Sequence, residues 1–189
     1  LLGVADRMDT VVACHKVGLD PTGSQDPYGL RRAARCMNEI FWGLSLDGDL
    51  KELVRVAAQE IDAGDDVVSR VESFLQARLQ VQLKERGYPH DVVALAMGVA
   101  WHRPLHLERL LDTLQGVAPE AWFQALVTAA CRVRNILTKA GNPPAGWREE
   151  LLQEEGERRM AQAVADLSPE VHGAVKDFDW RKLTEALAR

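Results

Sequence analysis

The side chains able to do chemistry in this sequence are few and scattered. His102 and His106 are four residues apart, the spacing that places two imidazoles on one helical face for zinc. Pro104 stands between them and marks a helix start, so the two need not share a helix. No His-Glu-x-x-His pattern and no third ligand accompanies them. They read as surface or half-buried histidines. His90-Asp91 follows Pro89 at another helix start, where a capping carboxylate is the expected role. Cys14, Cys36 and Cys131 are widely spaced and form no Cys-x-x-Cys pair, the usage of a reducing compartment. No glycine-rich phosphate loop, Gly-x-Ser-x-Gly elbow or Cys/His nucleophile arrangement occurs. No residue is assigned a catalytic role, and no metal is expected.

One charge feature stands out. Between Glu120 and Glu149 there is no acidic residue, while Arg132, Arg134, Lys139 and Arg148 are basic. On the helix expected over 119–139, Trp122, Phe123, Leu126, Val133, Ile136 and Leu137 face broadly one way. Arg132, Asn135 and Lys139, at i, i+3 and i+7, share the opposite face. Arginine, asparagine and lysine on one helical face suit phosphates and base edges. An ordinary solvated face is the competing reading, and the commoner one for a lone helix. Arg78, Gln82 and Arg86 depart from patterning differently. They fall on or beside the apolar stripe of Val68, Val71, Leu75 and Leu79, and such departures mark interfaces or function. The candidate binding residues are Arg132, Asn135, Lys139, Arg134, Arg78 and Arg86, with Arg78 and Arg86 fitting a protein interface as well as RNA.

Helices must position these residues, because only helical periodicity is present. The spacing of apolar residues, caps and breakers predicts helices over 2–17, 27–44, 50–61, 65–86, 91–100, 104–115, 119–139 and 147–167. A short helix restarts at Ser168-Pro169, and the last runs over 180–189. Asp26, Asp65 and Asp91 are the expected N-caps, with Pro27 at a first helical position. There is no strand-like alternation and no internal repeat. The class is all-α: irregular helical bundles with no sheet.

A chain of 189 residues suffices for one good-sized core or two small ones. Its 47% hydrophobic and 27% charged residues exclude disorder, and its net charge of −5 argues against a basic nucleic-acid wrapper while leaving room for a local basic face. No apolar run approaches the roughly 20 residues that cross a bilayer. The start, Leu1-Leu2-Gly3-Val4-Ala5-Asp6-Arg7, lacks Met and lies inside an apolar-periodic segment. The sequence is expected to be a piece of a longer protein.

The least generic stretch is Pro21-Thr22-Gly23-Ser24-Gln25-Asp26-Pro27-Tyr28-Gly29-Leu30-Arg31-Arg32-Ala33-Ala34. Its first half is turn chemistry and its second half a helix start. With Val4-Ala5-Asp6-Arg7-Met8-Asp9-Thr10-Val11-Val12 before it, and Arg78, Glu85-Arg86-Gly87-Tyr88, Asp91 and Cys131-Arg132-Val133-Arg134-Asn135-Ile136-Leu137 after it, it resembles the β subunit of bacterial heterotetrameric glycyl-tRNA synthetase. Ala13-Cys14-His15-Lys16 departs from the more apolar, glycine-containing segment of that family. The last run also resembles the helical anticodon-binding domain of arginyl-tRNA synthetases.

The resemblance implies a division at 46/47. Residues 1–46 would be the end of an HD-like helical domain with its connector, and 47–189 a helical region similar to an anticodon-binding domain, truncated at its C-terminus. Asp6 would occupy the vestigial position of the last metal-ligating aspartate of HD-domain phosphohydrolases. The whole enzyme would be an ATP-dependent glycine–tRNA ligase in the cytoplasm, with ATP and Mg used at the α subunit. The partners implied are tRNA(Gly), the α subunit and a second β subunit in an α2β2 assembly, with no membrane. The piece itself is expected to be inactive, binding tRNA without catalysing. Two alternatives stand beside this: a remnant of an HD-type metal phosphohydrolase, and a purely structural scaffold for subunit assembly.

Overall fold

A computed structural model of the chain describes residues 1–23, 25–141 and 149–188. Among them are nine α-helices and no strand. In chain order these are α1 (Leu2–Lys16), α2 (Leu30–Gly43), α3 (Leu50–Glu60), α4 (Asp65–Glu85), α5 (His90–Ala100), α6 (Pro104–Val117), α7 (Ala121–Ala140), α8 (Glu155–Lys176) and α9 (Trp180–Leu187). The class is all-α, as the periodicity requires. The chain divides into two compact units, Leu1–Asp112 and Thr113–Arg189. The first unit continues past residue 46 because α1 and α2 pack against α3 and α4.

Helix α4 organises the first unit and touches α1, α2, α3 and α5. Val67, Val71, Leu75, Leu79 and Leu83 recur every four residues along it, and all five are buried. At this spacing they form one continuous ridge, and each fully buried leucine stabilises the fold by about 1.5–3 kcal/mol. Helix α1 answers with Val4, Met8, Val11 and Val12, and α2 with Leu30, Ala34, Met37 and Phe41. The buried side of α1 is Val4, Met8, Val11, Val12 and His15. Val4 and Val11 lie at 3% and 0% exposure, while Leu2 stands 84% exposed. Between α2 and α3 the chain passes so close to the buried Phe41 that a Cβ on Gly48 would lie 2.3 Å from its ring. In the second unit α8 packs on α9, burying Ala174, Trp180 and Ala186.

Several helix boundaries differ from expectation. Asp26 does cap α2: its two carboxylate oxygens accept the N–H groups of Leu30 and Arg31 at 2.8 and 3.0 Å. Pro27, however, lies in a preceding turn closed by Gly29 N–H donating to Asp26 O. Gly29 has φ +66°, and a left-handed residue cannot belong to a right-handed helix, so α2 begins at Leu30. Asp65 and Asp91 are not caps. They lie inside the first turns of α4 and α5, behind Gly64 and Pro89, where a negative charge still favours the helix dipole. The restart at Ser168-Pro169 does not occur, because α8 runs through Pro169 and is held beyond it by Ala174. The expected onset at Trp147 and the hydroxyl of Ser24 lie outside the described residues. A 3-10 turn spans Glu149–Leu151, and α8 opens at a capping box of Glu154 and Glu157.

Candidate functional site

The residues singled out by sequence fall in three places. Arg132, Arg134, Asn135 and Lys139 all lie exposed on α7, in the second unit. The opposite, apolar face is not buried there as the pattern suggests: Val133, Ile136 and Leu137 are 54%, 65% and 45% exposed. Trp122 and Phe123, at the start of the helix, are half-buried and meet edge to face with ring centroids 5.6 Å apart. The described residues therefore leave both faces of this half of α7 open. Arg148 lies outside them.

Arg78 lies in the first unit, in a groove between α2 and α4 of about 320 Å³. Four arginines line it: Arg31, Arg32 and Arg35 from the start of α2, and Arg78 from α4. Arg31 Nη2 donates to Gly23 O at 2.6 Å, which folds the Pro21–Gly29 loop back onto the helix it precedes. Arg35 pairs with Glu85 at 2.5 Å. Arg32 and Arg78 have no carboxylate within 4.0 Å among the described residues. Gln82 forms the floor and is 2% exposed. Its amide nitrogen donates to Glu39 Oε1 at 2.7 Å and to Arg35 O at 3.4 Å, and its oxygen accepts from Asn38 Nδ2 at 2.9 Å. Its polar place on the α4 stripe is thus explained, because the partners that satisfy it come from α2.

Arg86 has a different environment. Its guanidinium lies 4.2 Å from the centroid of the Trp42 ring and pairs with Glu108 at 2.8 Å. Trp42 Nε1 donates to Pro104 O at 2.9 Å. Together these contacts clamp α2, α4 and α6. Beside them the Tyr88 hydroxyl donates to Asp112 at 2.8 Å. Burial and that carboxylate push the phenol up to about 12.

His15 and His106 serve the fold. His15, 2% exposed where the chain departs from the resembled family, bonds Val11 O through Nδ1 at 2.7 Å and Asp20 through Nε2 at 3.2 Å. Arg70 holds the same Asp20 at 2.7 Å, so this cluster is a clasp between α1 and α4. His102 lies before α6 and His106 in its first turn. Burial holds His102 below the ordinary imidazole value. His106 Nε2 is 3.1 Å from Asp47, which Arg103 also meets. Burial alone would raise Asp47, but hydrogen bonds from Arg103 and His106 outweigh it and hold the carboxyl below its ordinary value. Asp6 is exposed on α1, and its carbonyl accepts the Thr10 hydroxyl. No group of three or more His, Cys, Asp or Glu able to hold a metal occurs among the described residues, nor any helix long and apolar enough to cross a membrane.

Residues 1–98 match the family described as glycyl-tRNA synthetase beta subunit, which is 98 of 189 residues. The chain belongs to the glycyl-tRNA synthetase beta subunit family. A glycine–tRNA ligase beta subunit of Neisseria gonorrhoeae (strain NCCP11945) is 35% identical over 99% of the chain and 27% of its own length. Those of Acidobacterium capsulatum and Aromatoleum aromaticum are 33% and 34% identical over 100% and 99% of the chain, and 28% and 27% of their own lengths. The chain thus spans little more than a quarter of the curated relatives it matches. The stretch matched by the glycyl-tRNA synthetase beta subunit family contains Asp6, the arginine groove and the stacked Trp42 and Arg86, while Pro104 and Glu108 of the clamp lie beyond it. The α7 face lies beyond it, in the part aligned only with the individual relatives.

The groove was not assembled by sequence reasoning. In sequence Arg31 and Arg32 suit RNA or a neighbouring domain as well as a rigid capped connector, and Arg78 is a candidate RNA contact 43 residues after Arg35 with nothing to join it to them. The signal was the arginine density after Asp26. The missing information was that α4 lies beside it.

Proposed function

We propose that the chain is the tRNA-binding, non-catalytic stretch of a glycine–tRNA ligase beta subunit. In this reading an alpha subunit supplies glycine activation with ATP and Mg, and two copies of each subunit assemble in the cytoplasm. The observation that carries it is the alignment of 99% of the chain with glycine–tRNA ligase beta subunits. The exposure of Arg132, Asn135 and Lys139 on α7 supports it physically. Exposed cations on a rigid helix meet phosphates without first breaking internal ion pairs, and the counterions that RNA releases drive the association. The division at 46/47 and the vestigial role of Asp6 belong to the same proposal.

The test uses the full-length beta subunit in complex with its alpha subunit. Arg132→Ala with Lys139→Ala is expected to lower kcat/KM for tRNA(Gly) charging about tenfold, or about 1.4 kcal/mol, with KM for glycine and ATP unchanged. Wild-type charging by this variant would remove α7 from the RNA surface. A complex that fails to charge tRNA(Gly) at all would refute the ligase reading. Hydrogen exchange separates binding from scaffolding: protection of 128–139 by subunit assembly alone, unaltered by tRNA, would assign α7 to the scaffold.

A further inference from the structure

We propose that the groove between α2 and α4 holds the phosphodiester backbone of bound tRNA, with Arg32 and Arg78 as its principal phosphate contacts; this rests on the ligase reading above. Four arginines and one glutamate line the groove, a formal charge of +3 on a chain whose net charge is −5. A guanidinium presents a planar fork of donors that matches two phosphate oxygens at once. Arg32 and Arg78, without carboxylate partners among the described residues, carry that fork unspent. The Arg35–Glu85 pair is about half exposed on both sides, at 54% and 51%. An ion pair so exposed contributes little stability, so Arg35 exchanges Glu85 for a phosphate at small cost.

The layout suits a strand and not a single anion. Arg31 and Arg35 are one helical turn apart, about 6 Å along the axis of α2, and Arg78 faces them from α4. Val81, 41% exposed, supplies an apolar wall for a sugar face. The floor does not give way, because Gln82 is tied to Asn38, Glu39 and the backbone of Arg35. The backbone that carries the arginines is therefore fixed before RNA arrives, and Arg31 is held besides by its bond to Gly23 O. The N-terminus of α2 is not part of the site, since Asp26 already accepts the N–H groups of Leu30 and Arg31.

The experiment measures tRNA(Gly) binding by the full-length alpha–beta complex across a range of salt concentrations. Arg32→Gln with Arg78→Gln is expected to raise Kd about tenfold and to make the dependence of log K on log salt shallower by about 2, one per lost phosphate contact. KM for ATP and glycine should stay at wild type, which separates a backbone site from a nucleotide site. Arg32→Lys with Arg78→Lys keeps the charges and should restore the salt slope, a control that a folding defect would fail. A wild-type Kd and slope in the glutamine variant overturns the proposal. Normal tRNA binding with loss of the alpha subunit on gel filtration also overturns it, in favour of an acidic protein surface. Failure of the unmutated complex to bind tRNA refutes the ligase reading itself, and no variant is needed to see it.

Discussion

Gln82 shows what a polar residue on an apolar stripe can mean. It is buried because α2 offers it a donor and two acceptors. Asn38→Ala leaves the Gln82 oxygen buried without a donor, which costs about 1–3 kcal/mol. The expected result is a lower urea midpoint at unchanged slope. Replacing both residues by leucine should cost less than the sum of the two single leucine substitutions, since neither amide of the Asn38–Gln82 pair is left without the other. Sequence flagged Arg78, Gln82 and Arg86 together, for one reason, and their fates diverge. Arg78 faces other arginines, Gln82 closes a polar network, and Arg86 stacks on Trp42 and pairs with Glu108. Periodicity reports which way a side chain points along its own helix. It carries nothing about residues 22 to 47 positions away that come to meet it.

At the scale of elements, the 3.6-residue period was enough to place most helices, and their ends were harder. Each displaced start involves a residue with two workable roles. Asp26 caps α2 from three residues before its left-handed N-cap, and Asp65 and Asp91 serve the dipole from inside the first turn. Asp26→Ala removes the acceptors for two backbone N–H groups at once and should cost about 1 kcal/mol, read as a lower Tm. If Asp26→Asn restores most of that loss, the cap and not the charge is responsible. An unchanged Tm in Asp26→Ala would mean that the Gly29 turn and the Arg31–Gly23 bond hold the helix start by themselves. Pro169 marks the opposite limit. A proline reads as a break, yet one missing N–H does not stop a helix that is capped at Glu154 and held beyond the proline by Ala174.

At the scale of the whole molecule, the all-α class was legible and the pairing of faces was not. The apolar side of α7 reads as core, but Ile136 on it is 65% exposed. A stripe shows that a face is apolar and leaves open what covers it. The arginine groove shows the same limit with the opposite outcome, since three arginines that read as outer residues converge on a fourth. Its setting matters for the kinetics of encounter. The chain carries 28 Asp and Glu against 23 Lys and Arg, so within a Debye length of about 8 Å its predominantly acidic surface repels a polyanion. On the proposal above, the groove reverses that sign locally and selects the orientations in which a collision with tRNA becomes a complex. In stopped-flow measurements on the full-length complex, Arg32→Gln with Arg78→Gln should therefore slow tRNA association far more than it speeds dissociation, and the difference should fade as salt rises. Faster dissociation with an unaltered association rate would give these arginines the opposite part, that of a grip closing after arrival. A pocket of favourable charge set in a surface of mostly unfavourable charge sorts approaching partners by direction before any contact is made.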